Sequence, residues 1–376
     1  MKKLDTEEII SFALWFLTLI FLSYVIPKAL IILATPFVYK PETFNETDSV
    51  LVKTSVFALG NKVIVRTNVS DNDVTNHPID KVIMNLTDAQ NNLKYNNKPM
   101  SNTGISCGTN CTIWELNYTL QPADPAGIWK INITANDTSN LKASNSTTFE
   151  VKNYVYLTDC SVLDQAGKTY YLIKDITDSS TSYCMNISAN NVTLDCQNHL
   201  IDGDGSAVYG IYVYRDSAQT TNITIKNCNV SDWDVANIHF YYANNNVIQN
   251  TTSTSSLGDG LQLYLSSNNR IINCTLSENS YSDFYIEVSS DAECNNCLEN
   301  VMGSNNLPIK YFNSSVSLSD EVLSELILCN ADYSNVTNVT LDGSQSKKNN
   351  GFFVWRTDYS NFSQINSSNN WAVSYT

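Results

Sequence analysis

Apolar and polar residues alternate over short runs in the second half of the chain. Two examples are Asn237–Tyr242 (NIHFYY) and Gly260–Leu265 (GLQLYL), and polar residues rich in Asn and Ser follow each of them. Alternation with a period of two is typical of a β-strand with one buried face, whereas an amphipathic helix needs a period near 3.6. Residues 224–292 contain no run that suits a crossover helix, so the pattern predicts strands and turns throughout.

The alternation repeats every 23 residues. Residues 23 apart fall into matching columns, which are Ile225, Ile248, Ile271 and Cys294; Asn227, Asn250, Asn273 and Asn296; Ile238, Leu261, Phe284 and Leu307; and Phe240, Leu263, Ile286 and Ile309. Short strands, polar turns and a fixed period describe the coils of a parallel β-helix, stacked about 4.8 Å apart. The crossover rule for parallel strands makes the helix right-handed. We predict that it covers residues 154–376.

Residues 48–153 alternate without repeating. Runs such as Val63–Val69 (VIVRTNV) and Gly127–Ala135 (GIWKINITA) are separated by turn residues. Such spacing predicts an antiparallel β-sandwich of immunoglobulin type with Trp129 in its core. Cys107 and Cys111 (CGTNC) can close a small disulfide loop, which is favoured over a metal site because no second Cys pair lies nearby.

Residues 9–36 are strongly apolar, and no charge interrupts the stretch from Ile9 to Ile26. This length is sufficient to span a bilayer. We interpret the segment as a retained transmembrane signal-anchor rather than a cleaved signal peptide, because acidic residues balance the basic ones before it. Residues 1–8 are then a cytoplasmic tail and residues 37–47 a linker. The predicted fold class is therefore all-β after one N-terminal helix, in a single-pass plasma-membrane protein with extracellular C-terminal domains.

Composition narrows the choice of partners. The formal net charge is −15 with only 22 Lys and Arg, which excludes nucleic acid as a partner because phosphate neutralisation needs clustered cations. All ten Cys follow the apolar segment, and nineteen Asn-X-Ser/Thr sequons suit an exported glycoprotein. The alternative is that β-coil turns simply favour Asn, Ser and Thr. No four-ligand set is visible, so we predict no metal and no cofactor.

Two stretches resemble a known group of proteins. Tyr183–Tyr214 (YCMNISANNVTLDCQNHLIDGDGSAVYGIYVY) and Ser324–Ser344 (SELILCNADYSNVTNVTLDGS) are similar to coils of right-handed parallel β-helix proteins on archaeal cell surfaces. These proteins belong to the NosD-like and carbohydrate-binding/sugar-hydrolase β-helix group. The resemblance extends from residue 154 to the end, and the preceding segment resembles their immunoglobulin-like spacers. It implies a surface location and contact with polysaccharide, but it supplies no catalytic residues.

Aromatic residues alternate with the predicted core positions. If Ile238 and Phe240 face inward, their neighbours face outward. The predicted ligand-binding residues on this outer face are Tyr212, Tyr214, Tyr241, Tyr264 and Tyr285. A row of Tyr is a flat, amphipathic platform for sugar rings. The alternative is purely structural, since stacked rings also stabilise neighbouring coils. The last outward column continues to Glu287 and Lys310, which could pair across adjacent coils.

Catalysis would need carboxyl groups on the same face. The candidates are Asp259, Asp283 and Glu287, with His239 nearby. Glycosidases use two carboxyls, about 5 Å apart in retaining enzymes and further apart in inverting ones. No paired-acid motif is visible, so solvated surface acids are favoured over catalytic ones.

Cysteine spacing suggests some disulfides within the β-helix. Cys160 and Cys184 flank the first coils, and Cys274 and Cys297 lie one coil apart. Cys228 and Cys274 are two coils apart, about 9.6 Å, which exceeds the usual Cα separation of about 7 Å. Other pairings stay open.

These observations favour noncatalytic adhesion or binding of a polysaccharide or envelope glycan through the β-helix outer face. One alternative is a polysaccharide lyase or glycoside hydrolase, and another is a purely structural envelope protein. The sequence ends with NNWAVSYT, which is still strand-like. Because an open β-helix end exposes a pairing edge, we expect either a partner or further coils there.

Overall fold

The computed structural model is nearly all β. Its helical residues, within the described part of the chain, are two short 3-10 turns at Asp291–Cys294 and Ser304–Asn306. The all-β prediction is thus confirmed. The described residues are 35–47, 50–71, 78–216, 218–370 and 372–375.

The predicted membrane anchor at residues 9–36 lies outside the described residues except for its last two positions. Among the residues that are described, no helix has the length and the apolar character needed to cross a bilayer. This finding contradicts the predicted single-pass plasma-membrane localisation and gives no support to a membrane partner.

The chain divides into two compact units. The first contains the described residues up to Lys53 together with Ile64–Asn117 and Trp129–Thr148, and the second contains Thr54–Val63, Tyr118–Ile128 and the chain from Phe149 onward. The strands in the first part of the sequence are β1 (Phe37–Val38), β2 (Glu42–Thr47), β3 (Val50–Lys53), β4 (Val56–Leu59), β5 (Lys62–Ser70), β6 (Ile79–Thr87), β7 (Leu93–Pro99), β8 (Ser101–Gly108), β9 (Cys111–Thr119), β10 (Gly127–Asp137) and β11 (Lys142–Leu157).

The first unit is built from antiparallel pairs. Strand β2 pairs with β3 and β5, β8 pairs with β9, and β6 pairs with β7 and β10. Alternate residues of these strands are fully buried, including Val82, Met84, Ile131 and the predicted core aromatic Trp129. These pairings establish an antiparallel β unit, while its assignment to the immunoglobulin type stays a prediction.

The second unit contains stacked coils of short parallel strands. Each full coil contributes one strand to each of three sheets: sheet 1 (β13-β16-β20-β24-β27-β30), sheet 2 (β12-β15-β18-β22-β26-β29) and sheet 3 (β14-β17-β21-β25-β28). The strands are β12 (Ser161–Leu163), β13 (Thr169–Leu172), β14 (Ile176–Ser179), β15 (Tyr183–Ile187), β16 (Thr193–Asp195), β17 (Leu200–Gly203), β18 (Tyr209–Val213), β19 (Thr220–Thr221), β20 (Thr224–Lys226), β21 (Asn229–Ser231), β22 (Ala236–Tyr241), β23 (Ala243–Asn244), β24 (Val247–Gln249), β25 (Thr252–Thr254), β26 (Asp259–Tyr264), β27 (Arg270–Ile272), β28 (Thr275–Ser277), β29 (Phe284–Glu287) and β30 (Cys297–Glu299).

The 23-residue columns are present across three coils. Ile225 pairs with Ile248, and Ile248 pairs with Ile271, so that all three lie on top of one another in sheet 1. The columns through Ile238 and Phe240 in sheet 2 are present as well. A stack of parallel coils, each too small to bury its own apolar side chains, is thereby established.

The fourth member of each predicted column is wrong. Ile271 pairs with Leu298, 27 residues on, and not with Cys294. The four-residue 3-10 turn Asp291–Cys294 lengthens this coil from 23 to 27 residues. Beyond it, Ile309 pairs with Glu325 instead of continuing sheet 2.

Asparagine amides stabilise the corners between strands. Asn227, Asn250 and Asn273 adopt positive φ, which Asn tolerates better than most residues. The Asn250 amide donates to the Asn227 carbonyl at 3.5 Å, and the column continues to Asn300, whose amide donates to Asn273 at 3.1 Å. Two of these residues, Asn250 and Asn273, begin sequons, so the corner role accounts for part of the high Asn content.

The last coils form two further parallel sheets. Sheet 4 contains β31 (Ile309–Phe312), β33 (Glu325–Cys329), β35 (Gly351–Trp355) and β37 (Ala372–Tyr375), and sheet 5 contains β32 (Ser317–Leu323), β34 (Asn335–Asp342) and β36 (Asn361–Ser368). A separate apolar core, which includes Leu326, Val339 and Phe352, fills the space between these sheets. Lys310 forms an ion pair with Glu321 at 2.7 Å, so its predicted pairing with Glu287 is wrong.

Sheet 2 ends at β29, the last strand paired within it among the described residues. The backbone N–H of Asp283 donates to the Asn350 side chain at 2.7 Å, and that of Phe284 donates to the Glu325 carboxyl at 3.1 Å. Side chains therefore replace the carbonyls that a further strand would offer at this end of β29.

Candidate ligand-binding face

The outer surface of sheet 2 carries a concentration of aromatic side chains. Ile211, Ile238 and Leu261 form a fully buried inner column on β18, β22 and β26. The residue after each of them belongs to the next column, in which Tyr212, His239, Gln262 and Tyr285 lie in register. We define the tyrosine face as Tyr183, Tyr209, Tyr212, Tyr214, His239, Tyr241, Tyr264 and Tyr285.

The rings of the tyrosine face form a continuous series across four strands. Ring centroids are 5.9 Å apart for Tyr183 and Tyr209, 4.6 Å for Tyr209 and His239, and 6.1 Å for His239 and Tyr241. Tyr241 and Tyr264 then stack in parallel at 4.8 Å with an interplanar angle of 2°. The last separation matches the strand spacing of about 4.8 Å, so the sheet itself sets the spacing of the rings.

Contacts between the rings limit what a ligand can reach. Tyr214 meets Tyr241 edge-on at 5.3 Å, and the opposed faces of Tyr241 and Tyr264 cover each other. Because the faces are used within the series, ring edges and terminal hydroxyls are the groups left for a ligand. Tyr183, at one end of the series, is 45% exposed.

The hydroxyls of the face are uncharged. Burial raises the pKa of Tyr209, Tyr212 and Tyr285. The pKa of Tyr214 is raised chiefly by its hydrogen bond to Asp216, and that of Tyr264 chiefly by the charge of Glu287. Each phenol therefore keeps its proton at neutral pH and can both donate and accept a hydrogen bond.

His239, a predicted catalytic candidate, is buried within the series. It is only 4% exposed, and its Nδ1 lies within hydrogen-bond distance of Gln262 Oε1. Burial lowers its pKa to about 4, so the imidazole is neutral at neutral pH. Its position packs the rings together, and access for a substrate is poor.

Asp259 is a buried carboxyl at the inner edge of the face. It is 9% exposed and accepts a hydrogen bond from the Ser282 N–H at 3.1 Å. Burial, with a smaller contribution from Asp283, raises its pKa to about 7. Its charge in turn raises the pKa of Tyr209 and Tyr285, so it influences both parts of the face.

Asp283 was expected on the outer face and lies in the interior instead. It is fully buried, and its carboxyl accepts hydrogen bonds from Asn279, Ser304, Asn349 and Asn350. Burial raises its pKa, and these hydrogen bonds partly oppose that rise. A carboxylate with every position occupied by internal donors has no access to a ligand.

Two outer residues lie beyond the continuous series. Glu287 is in register with Tyr264 on the next strand. Tyr285 contacts Trp355 edge-on, with ring centroids 6.4 Å apart. The pattern in the sequence did not single out Trp355, because sheet 4 does not follow the 23-residue period.

Tyr183 and Tyr209 were also missed. Strict alternation from Ile211 places Tyr209 inside. However, a Cβ on Gly210 would lie 2.6 Å from Val230 and 2.7 Å from the Asn237 carbonyl, so Gly210 also faces the interior. Two consecutive inward positions mark a bend, which turns Tyr209 outward. The Gly before the alternating run is the signal that identifies this bend.

The structure contains four disulfides. Two are the predicted Cys107–Cys111 and Cys160–Cys184 bonds, and two others, Cys196–Cys228 and Cys294–Cys329, were not predicted. The predicted Cys274–Cys297 bond is wrong, because Cys274 is a buried thiol and Cys297 an exposed one. The 27-residue step places Cys297 beside Arg270, away from the column of Cys274. Across the described residues, no group of three or more His, Cys, Asp or Glu side chains is arranged to hold a metal ion.

No protein-family model matches the sequence, and no curated protein matches it. The resemblance to archaeal NosD-like proteins therefore has no support from these comparisons.

Several solved structures share weak similarity with the chain. The tailspike of Acinetobacter baumannii bacteriophage AP22, solved with a capsular saccharide, has a TM-score of 0.27 and 11% identity over 86% of this chain, which spans 57% of the tailspike. A family 28 exopolygalacturonase of Yersinia enterocolitica has a TM-score of 0.22 and 9% identity, covering 91% of this chain and 97% of the enzyme. A pectate lyase of Pectobacterium carotovorum has a TM-score of 0.16 and 10% identity, covering 83% and 82%. At such scores the likeness assigns no function, and the parallel β-helix rests on the strand registers above.

Proposed function

We propose that this protein binds a polysaccharide without cleaving it, and that the tyrosine face is the binding surface. The observation that carries the proposal is the continuous series of rings from Tyr183 to Tyr264 on one side of a rigid parallel stack. Sugars present many hydroxyls on a semi-rigid chain, and a row of protonated phenols offers matching donors and acceptors at a fixed spacing. Adhesion through an envelope glycan is the corresponding biological role.

The charge of the protein favours a neutral polysaccharide. The formal net charge of −15 and the acid Glu287 beside Tyr264 repel polyanions such as uronates. The phenols, in contrast, stay neutral and keep their hydrogen-bonding capacity. The preferred ligand is therefore a neutral glycan chain lying across the strands of sheet 2.

The remaining finer predictions belong to the same proposal. Residues 48–153 serve as an immunoglobulin-type spacer, and residues 154–376 form a right-handed β-helix that binds the glycan. A purely structural envelope protein is the outcome if no glycan binds.

The test uses the complete chain and affinity electrophoresis in gels containing dextran, mannan, xylan or polygalacturonate. The double variant Tyr241→Phe, Tyr264→Phe keeps both rings but removes two hydroxyls. Each lost hydrogen bond costs about 0.5–1.5 kcal/mol, so the pair should weaken binding about tenfold. The matched control is Tyr281→Phe, which changes an exposed tyrosine outside the face. Equal retardation of the double variant and the parent in every gel would remove the tyrosine face from the proposal.

Asp259 favours a second candidate, a glycoside hydrolase or polysaccharide lyase. A carboxyl with a pKa raised to about 7 beside an aromatic surface is suited to donate a proton to a leaving group. The test is release of reducing ends from the four polysaccharides at pH 6. Activity that disappears in Asp259→Asn and persists in Glu287→Gln would support cleavage, and no release by the parent would exclude it for these substrates.

A further inference from the structure

A second aromatic surface lies outside the tyrosine face. The sequence Asp-Tyr-Ser-Asn occurs at residues 332–335 and again at 358–361. The two copies are 26 residues apart, which equals the register between β34 and β36, where Asn335 pairs with Asn361. Tyr333 and Tyr359 therefore occupy the same corner on successive coils. We call them the exposed tyrosine pair.

The exposed tyrosine pair is the most solvent-accessible set of large apolar side chains in the described chain. Tyr333 is 70% exposed and Tyr359 is 80% exposed. Their rings stack at 5.3 Å with an interplanar angle of 12°, and no other ring contacts either of them among the described residues. In contrast with the tyrosine face, these rings leave their faces open to a ligand.

The backbone at both positions is unusual for tyrosine. Tyr333 has a φ of 60° and Tyr359 a φ of 53°, which is the left-handed region. At corners of the earlier coils the residue in this conformation is often Asn, as at Asn227 and Asn250, because bulky side chains adopt it at a cost. Neither backbone preference nor burial therefore explains why tyrosine occupies this corner twice. Strained residues that the surrounding structure holds in place are concentrated at functional sites.

The corner is held firmly by its neighbours. The Tyr333 N–H donates to the Asp358 carbonyl at 3.0 Å, and the Asp358 N–H donates to the Asp332 carboxylate at 2.6 Å. The Ser315 hydroxyl donates to the Tyr333 carbonyl at 3.1 Å. These bonds link successive coils, so the two rings are presented on a rigid support.

Carboxylates define the chemistry around the rings. Asp358 is exposed, and its carboxylate accepts no hydrogen bond from the residues that the structure describes. A free carboxylate beside an open aromatic face can accept hydrogen bonds from neighbouring sugar hydroxyls while the ring contacts the apolar side of the sugar. The two acids, Asp332 and Asp358, repel anionic ligands.

We propose that the exposed tyrosine pair is a second binding site for a neutral saccharide, with the rings as platform and Asp358 as hydrogen-bond acceptor. It rests on the proposed function only for the class of ligand, since its rings, strands and contacts are separate. Two sites on one rigid unit bind a long polymer more tightly than a short oligosaccharide, because the second contact becomes intramolecular.

The test uses the double variant Tyr333→Asn, Tyr359→Asn in the complete chain. Asn suits the left-handed backbone, so this variant should fold with a melting temperature no lower than that of the parent. In dextran, mannan and xylan gels we expect its affinity for the polymer to fall about tenfold or more through loss of the second contact. The control Tyr333→Phe, Tyr359→Phe keeps both rings and should bind as the parent does.

The outcomes separate this site from the tyrosine face. Weaker binding by the Asn variant, with Tyr241→Phe, Tyr264→Phe unchanged, supports the pair and overturns the face. Binding by the Asn variant that equals the parent in every gel that retards the parent overturns the pair alone. Loss of binding in a folded Phe variant overturns the ring platform, and absence of retardation for the parent in all gels overturns both proposals.

Discussion

Replacement of Asp283 by Asn should destabilise the protein although the two side chains have nearly the same shape. Oδ1 of Asp283 accepts from the Asn279 N–H at 3.3 Å, the Asn279 amide at 3.0 Å and the Asn349 amide at 2.8 Å. Oδ2 accepts from the Ser304 N–H at 2.8 Å, the Ser304 hydroxyl at 2.7 Å and the Asn350 amide at 2.7 Å. An Asn side chain would direct an NH₂ group at one of these two sets of donors.

The magnitude follows from the smaller set. If the NH₂ group faces Ser304 and Asn350, the serine hydroxyl can rotate, but two N–H donors lose their acceptor. Each unsatisfied buried donor costs about 1–3 kcal/mol, so Asp283→Asn should lower the free energy of unfolding by about 2–6 kcal/mol. The other orientation leaves three donors without an acceptor and is worse.

The assay is urea unfolding of the complete chain, followed by the fluorescence of buried Trp233 in the β-helix. Glu287→Gln is the matched control, because it makes the same chemical change on the same strand at the surface, and it should alter stability by less than about 0.5 kcal/mol. An Asp283→Asn variant within that same margin would refute the account of Asp283 as an interior acceptor.

Three further results are expected. Because the pKa of Asp259 is raised to about 7 in the folded state, its contribution to stability is complete below pH 4 and is lost as the pH rises to 7; melting temperatures should fall over that window, with a flatter profile in Asp259→Asn. Replacing Cys196 and Cys228 by Ala opens a crosslink across 32 residues and should cost about 4 kcal/mol in denaturant unfolding; an unchanged midpoint would contradict the bond. A maleimide should label Cys297 in the native protein and reach Cys274 only after unfolding, as read by peptide mass spectrometry; native labelling of Cys274 would contradict its burial.

The sequence was most informative where the coil length is constant. The 23-residue period identified the columns through Ile225, Ile238 and Phe240, because apolar residues at that spacing must be buried by stacking. It failed where a coil changes length. The turn Asp291–Cys294 adds four polar residues to a polar corner, and no apolar position marks the change.

Disulfide pairing followed the same limit. Cys196 and Cys228 bond across a coil in which Thr193 pairs with Thr224, a step of 31 residues. A fixed period of 23 cannot align them. Among the candidate site residues, alternation correctly placed Tyr241 and Tyr264 in one stack, but it could not reveal that their faces cover each other, because ring orientation depends on packing between coils.

The end of sheet 2 has a consequence for ligand size. The side chains of Asn350 and Glu325 occupy the N–H groups at the start of β29, so the sheet contains six strands and five spacings, or about 24 Å. A sugar chain crossing these strands gains contacts with each added unit until it reaches that length. Affinity for the face should therefore increase through short oligosaccharides and then level off, which makes the strand count of sheet 2 a molecular ruler.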